Sequence, residues 1–93
     1  MLPTVYIVTN KTRGTLYIGV TSNPARRISQ HRRGEGSAFA SKYKLRRVVY
    51  YEHPPTMEAA IRREKQLKNW HRDWKIALIE QGNPEWLDLW PGD

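Results

Sequence analysis

The chain is 93 residues long, which allows one domain with one modest core and excludes a large multidomain enzyme. Hydrophobic residues make up 39% and charged residues 27%, a balance that folds and excludes an unstructured polymer. There is no cysteine, so disulfides and thiolate metal sites are excluded, and sixteen Lys and Arg against nine Asp and Glu leave a net charge of +7.

The basic excess clusters in Arg26 to Arg33, Lys42 to Arg47 and Arg62 to Lys68, and the pI is near 10.1. Such a surface attracts polyanions, of which nucleic acid is the usual one. The start, "MLPTVYIVTN", lacks the basic and apolar regions of a signal peptide, and no stretch is long enough for a membrane span. The expectation is one soluble, cytoplasmic domain over 1–93, with a core at about 4–82 and a short Trp-rich tail at 83–93.

"TVYIVTN" is rich in β-branched and aromatic residues and reads as a strand. "KTRG" is a turn in which Gly14 is free to take positive φ, and "TLYIGVT" is the second strand of a hairpin. A short helix follows, with Asn23 as N-cap, Pro24 at its first position, and Gly34 and Gly36 as its stop. "SAFASKYK" reads as loop with a helical turn. "LRRVVYYEH" is a third strand, closed by Pro54 and Pro55. Thr56 caps a helix that runs to about Trp70 or His71, and "RDWKIALIEQ" is a last helix ended by Gly82. The tail is expected to form a turn with Trp86 and Trp90 on one side. The order is ββαβαα, an α+β fold with a small three-stranded antiparallel sheet flanked by helices.

Side chains alternate along a strand, and a tight turn near Lys11 to Gly14 allows a register that puts Tyr6 and Tyr17 on one face of the sheet; a one-residue slip would separate them, and both also read as ordinary strand residues. Arg27 and His31 are four apart and share a helix face close to Ile28. On the helix after Thr56, Met57, Ala60, Ile61 and Leu67 form an apolar stripe with Glu64 in its middle. Arg62, Lys65, Gln66 and Asn69 take the opposite side. An unpaired buried carboxylate costs several kcal/mol, so Glu64 needs a salt bridge (Arg27 is the bland partner), a metal ion, or a role in chemistry.

Together "VYIVTNKTRGTLYIGVTSNPARRISQHRRG", "VVYYE" and "AIRREKQLKNW" resemble the GIY-YIG nuclease superfamily, over about Thr4 to Gly82. The likeness is to its small single-domain bacterial members, related to the incision domain of nucleotide-excision DNA repair. The resemblance implies that Tyr6 in "VYI" matches the first-motif tyrosine, and that Tyr17 and Gly19 in "YIG" match the second motif. It likewise implies that Arg27 and His31 match the helix pair and that Glu64 matches the single metal-binding glutamate. The first motif lacks its glycine, and the position a dozen residues past the glutamate, an asparagine in several members, falls near Ile76. The implied activity is endonucleolytic hydrolysis of phosphodiester bonds with one divalent cation, usually Mg²⁺, with Mn²⁺ able to substitute. DNA is the expected partner, with structure-dependent or weak sequence selectivity and no small-molecule cofactor.

Under that resemblance Glu64 and water would hold Mg²⁺, and Arg27 would fork onto phosphate oxygens. Tyr6 is the candidate base, helped by His31, or His31 acts as base itself. Tyr17 would orient the water or a phosphate oxygen, and Gly19 would leave room for substrate. Lys42, Lys44, Arg46 and Arg47 are candidates for phosphate-backbone contacts without sequence choice. Trp70 and Trp74 read as packing. The rivals are a non-catalytic nucleic-acid binder on the same fold, and an interaction protein whose Glu64 and Arg27 form an internal ion pair.

Overall fold

A computed structural model describes residues 1–90; positions 91–93, the end of the expected tail, lie outside the described residues. The elements follow the expected order with one short helix added: β1 (Thr4–Thr9), β2 (Leu16–Thr21), α1 (Pro24–Arg32), α2 (Ala38–Lys42), β3 (Arg47–Glu52), α3 (Met57–Asn69) and α4 (Arg72–Gly82). The one ambiguous stretch, "SAFASKYK", resolves into α2, capped by the Ser37 side chain on the Ala40 amide.

The three strands form one antiparallel sheet in the order β2-β1-β3. The central strand β1 is buried along its whole length, which explains its run of apolar and β-branched residues. Helices cover both faces. On one face Tyr6, Val8 and Val48 pack with Ile28 of α1, Ala40 of α2 and Leu45. On the other, Val5, Ile7, Ile18 and Val49 pack with Ala60 and Leu67 of α3 and Ile79 of α4. Each fully buried aliphatic side chain of this kind contributes about 1.5–3 kcal/mol of transfer free energy.

The hairpin register pairs Tyr6 with Gly19 and Val8 with Tyr17, so the two tyrosines share the face covered by α1 and α2. α1 begins on the Asn23 side chain, which accepts from the Arg26 amide, with Pro24 at its start. It ends where Gly34 takes φ 78 and the amides of Gly34 and Glu35 return to the carbonyls of His31 and Gln30.

Three local expectations are corrected. The positive φ of the hairpin turn belongs to Arg13 (φ 54) and not to Gly14. Gly14 is required instead by crowding, because a Cβ there would overlap the Asn10 side-chain oxygen that accepts from the Thr15 amide. Ile61 is 40% exposed, so the inward stripe of α3 narrows to Ala60 and Leu67, with Met57 at its edge. Trp86 and Trp90 lie on opposite faces of the sheet. Trp86 is fully buried in the α3–α4 face, while Trp90 packs against the α1–α2 face and meets the Tyr51 ring at 5.3 Å. The tail therefore wraps the β3 edge. The Leu89 amide donates to the Val48 carbonyl at 2.8 Å, and Asp88 accepts from the Val48 amide and pairs with Arg32. An edge strand covered in this way is not open to pairing with another chain.

Candidate active site

Tyr6 projects from the central strand towards α1, and His31 projects back from the last turn of α1. The phenol oxygen and His31 Nε2 are hydrogen-bonded at 2.9 Å, with ring centroids 5.5 Å apart. Both residues are almost fully buried, at 1% and 3% exposure. Tyr17, one pair along the same sheet face, brings its ring to 5.7 Å from His31. Arg27, one turn before His31, donates to the Gly36 carbonyl at 3.3 Å.

Electrostatics fix the resting proton positions. Burial pushes the Tyr6 phenol above its ordinary range; Tyr17 and Glu64 add to that, and Arg27 opposes it. Burial, reinforced by the Arg27 cation, pulls His31 down to about 4. At neutral pH the pair is therefore a neutral phenol beside a neutral imidazole. Among the described residues His31 Nδ1 is buried with no hydrogen-bond partner. Such an orphan costs about 1–3 kcal/mol.

Two glycines make the pair possible. A Cβ at Gly19 would overlap the Tyr6 phenol, so the space expected for substrate approach is filled by Tyr6 itself. A Cβ at Gly36 would overlap the His31 ring. Gly36 thus seats His31 through its missing side chain and Arg27 through its carbonyl. In the sequence Gly36 is legible only as a helix stop, and nothing in the local pattern distinguishes the two roles.

Glu64 lies on α3, which packs against β1 and β2. Its side chain is only 14% exposed, as the inward position predicts. Its partner is not Arg27 but Lys68, one turn on, at 2.9 Å. Lys68 Nζ also stands 6.0 Å over the Tyr17 ring, which places the carboxylate beside the tyrosine pair. The spacing of four was visible in the sequence; the shared ring was not.

Among the described residues no three His, Cys, Asp or Glu converge on one metal position. A lone carboxylate suits Mg²⁺, which keeps most of its waters and is commonly held by one or two carboxylates together with substrate phosphate. A cation, the Lys68 ammonium, already rests on Glu64, so the position accommodates positive charge. Glu64 would be the protein ligand of such a hydrated divalent ion.

The remaining candidates lie outside this cluster. Lys42, Lys44 and Arg46 are exposed, and Lys42 stands 5.4 Å over the Tyr43 ring. Arg47 donates to the Trp86 carbonyl and so anchors the tail. Trp70 packs against the α3–α4 core as expected, whereas Trp74, which it meets edge-on, is 55% exposed and is not a core residue. The buried amide of Asn83 is used on the Val49 and Leu87 carbonyls, so it serves the tail and not the site. No described helix is long and apolar enough to cross a membrane.

The fold thus brings together a sheet-borne tyrosine pair, an Arg and a His on α1, and a single carboxylate on α3. The GIY-YIG catalytic domain model matches residues 2–77, and the chain belongs to that family. It is 33% identical over 78 residues to a UPF0213 protein of Staphylococcus saprophyticus, covering 84% of this chain and 94% of that one. A UPF0213 protein of the archaeon Haloquadratum walsbyi is 35% identical over 68 residues, covering 73% and 76%. One of Staphylococcus aureus is 32% identical over 77 residues, covering 83% and 93%. No solved structure matches the chain. Family membership indicates a nuclease-type fold, endonuclease activity in general, a nucleic-acid substrate and, in general, divalent metal ions.

Proposed function

We propose that the chain is a divalent-metal-dependent endonuclease that hydrolyses phosphodiester bonds in DNA, with Tyr6, Tyr17, Arg27, His31 and Glu64 as its working side chains. The observation that carries this reading is the buried Tyr6–His31 hydrogen bond at 2.9 Å, with Arg27 on the same helix and Glu64 beside Tyr17. The imidazole is neutral, its Nε2 meets the buried phenol, and its Nδ1 is left without a partner, an arrangement that supports a role in proton transfer.

The protein's own groups divide the work. Tyr6 takes a proton from the attacking water while its own proton passes to His31 Nε2. Because the phenol is held neutral, the two act together, and neither is a free phenolate base. Arg27 disfavours the imidazolium in the free protein; an incoming phosphate offsets that effect, so His31 gains basicity as substrate arrives. Arg27 pairs with non-bridging oxygens through its guanidinium fork. Tyr17 orients the water or a phosphate oxygen. Glu64 would hold Mg²⁺, or Mn²⁺ in its place, which when bound supplies Lewis-acid stabilisation of the phosphate and the departing 3′ oxygen.

The non-catalytic binding reading draws on one observation: Lys68 satisfies Glu64 without any metal. The test is incubation with branched, flap, single-stranded and duplex DNA in Mg²⁺, Mn²⁺ or EDTA. Cutting that requires the metal supports the nuclease reading. Binding without cutting on every substrate and metal leaves the binding reading in its place.

A further inference from the structure

Three rings run outward from the site. Tyr17 lies 6.2 Å from Phe39 with their planes 28° apart, and Phe39 lies 4.9 Å from Tyr43. Phe39 and Tyr43 are 45% and 42% exposed, although both belong to the α2 segment whose Ala40 is buried in the core. The segment presents two rings to solvent, joined to a third that borders the tyrosine–histidine pair.

The charges around the rings narrow the occupant. Lys42 stands over Tyr43 and Lys68 over Tyr17, and no acidic residue occurs from Gly36 to Tyr51. A second copy of this chain would bring the same lysines against them, so like charge opposes self-association. A polyanion with planar apolar faces complements both features: its phosphates meet the lysines and its bases meet the rings. Bases inside a duplex are already stacked and have no face to offer.

We propose that Phe39 and Tyr43, backed by Tyr17, form a stacking platform for unpaired bases next to the bond being cut, so that the chain selects single-stranded or flap nucleic acid over intact duplex. The proposal rests on the nuclease reading for the position of the scissile phosphate. Lys42 tracks the backbone and contributes affinity without base choice.

The test measures fluorescence anisotropy in EDTA, where no cutting occurs. The probes are a roughly 12-nucleotide single strand, a blunt duplex of the same sequence, and the same strand with abasic sites at its centre. Wild type should bind the normal strand more tightly than the duplex. Tyr43→Ala and Phe39→Leu should each weaken the normal strand by about tenfold and the abasic strand by less than about twofold. Lys42→Ala should weaken both strands alike and reduce the salt slope by about one unit. Equal losses on normal and abasic strands, or no loss from Tyr43→Ala, would overturn the platform, as would a dimer that sediments as monomer once Tyr43 is replaced. Tyr43 is the outermost ring, so its variant remains decisive if Phe39→Leu fails to fold. Because binding is read without metal, a protein that never cuts yet shows the abasic difference refutes the nuclease reading alone. One that cuts but shows no difference refutes the platform alone.

Discussion

Tyr6 and Gly19 face each other across the β1–β2 ladder so closely that any side chain at 19 would overlap the phenol. The glycine is fixed by Tyr6 and by no turn or unusual backbone angle. Gly19→Ala should therefore push the phenol off His31. The expected outcome is loss of cleavage together with about 1–3 kcal/mol of destabilisation, the usual cost of overpacking. Tyr6→Phe should not rescue it, because the ring itself occupies the space. Thermal melts and cleavage rates of the single and double variants check both statements.

Tyr6→Phe on its own keeps the packing and removes only the hydroxyl. Cleavage should fall by about 10²–10⁴, the usual contribution of a positioned acid–base group. Stability should fall by only about 1–2 kcal/mol, for one buried hydrogen bond and the His31 nitrogen left behind. A rate close to wild type would remove Tyr6 from the proton path.

His31 ties both stability and activity to pH. Its value in the folded protein is near 4 against 6.5 for a free imidazole. Between those values the unfolded chain binds a proton that the folded chain does not, so stability should fall as pH drops from about 6.5 to about 4. The slope from this one group reaches at most about 1.4 kcal/mol per pH unit. His31→Gln should flatten the wild-type curve in that window when both are followed by denaturant melts. The acid limb of kcat/KM should likewise lie well below 6.5, because His31 can accept a proton once it has lost its own.

Glu64 and Lys68 form a helix pair at the usual spacing of four, with Lys68 half exposed. Such pairs contribute about 0.3–0.5 kcal/mol, so Glu64→Ala should shift Tm by only a few degrees. Lys68→Met leaves the carboxylate free for a metal ion and should lower the Mg²⁺ concentration needed for half-maximal cleavage. A Tm collapse in Glu64→Ala would instead mark Glu64 as a structural ion-pair residue.

Much of this arrangement was legible in the sequence because it is local. Alternation along two strands and a tight turn place Tyr6 beside Tyr17, a spacing of four aligns Arg27 with His31, and helical period turns Glu64 inward. The resemblance carried by "VYI", "YIG" and "REKQLKNW" added the family. The rest depends on long-range contacts that leave no local period. Gly36 packs on His31 across the end of α1, and Phe39 stacks on Tyr17 from a segment too short to show a helical pattern. The tail divides Trp86 and Trp90 between the two faces because it crosses the β3 edge, which a helical wheel cannot represent. Arg27 was the bland partner for Glu64, yet the nearer cation on the same helix took that place.

Under the proposed function Glu64 is the group that would hold the catalytic cation near Tyr6 and Tyr17. The most direct measurement is the single-turnover cleavage rate of wild type and Glu64→Gln, purified side by side, at saturating Mg²⁺ on a flap substrate. Glu64→Gln keeps the shape of the side chain and removes its charge, and the predicted result is a folded protein with no metal-dependent cutting. Cleavage by Glu64→Gln at the wild-type rate would contradict the account.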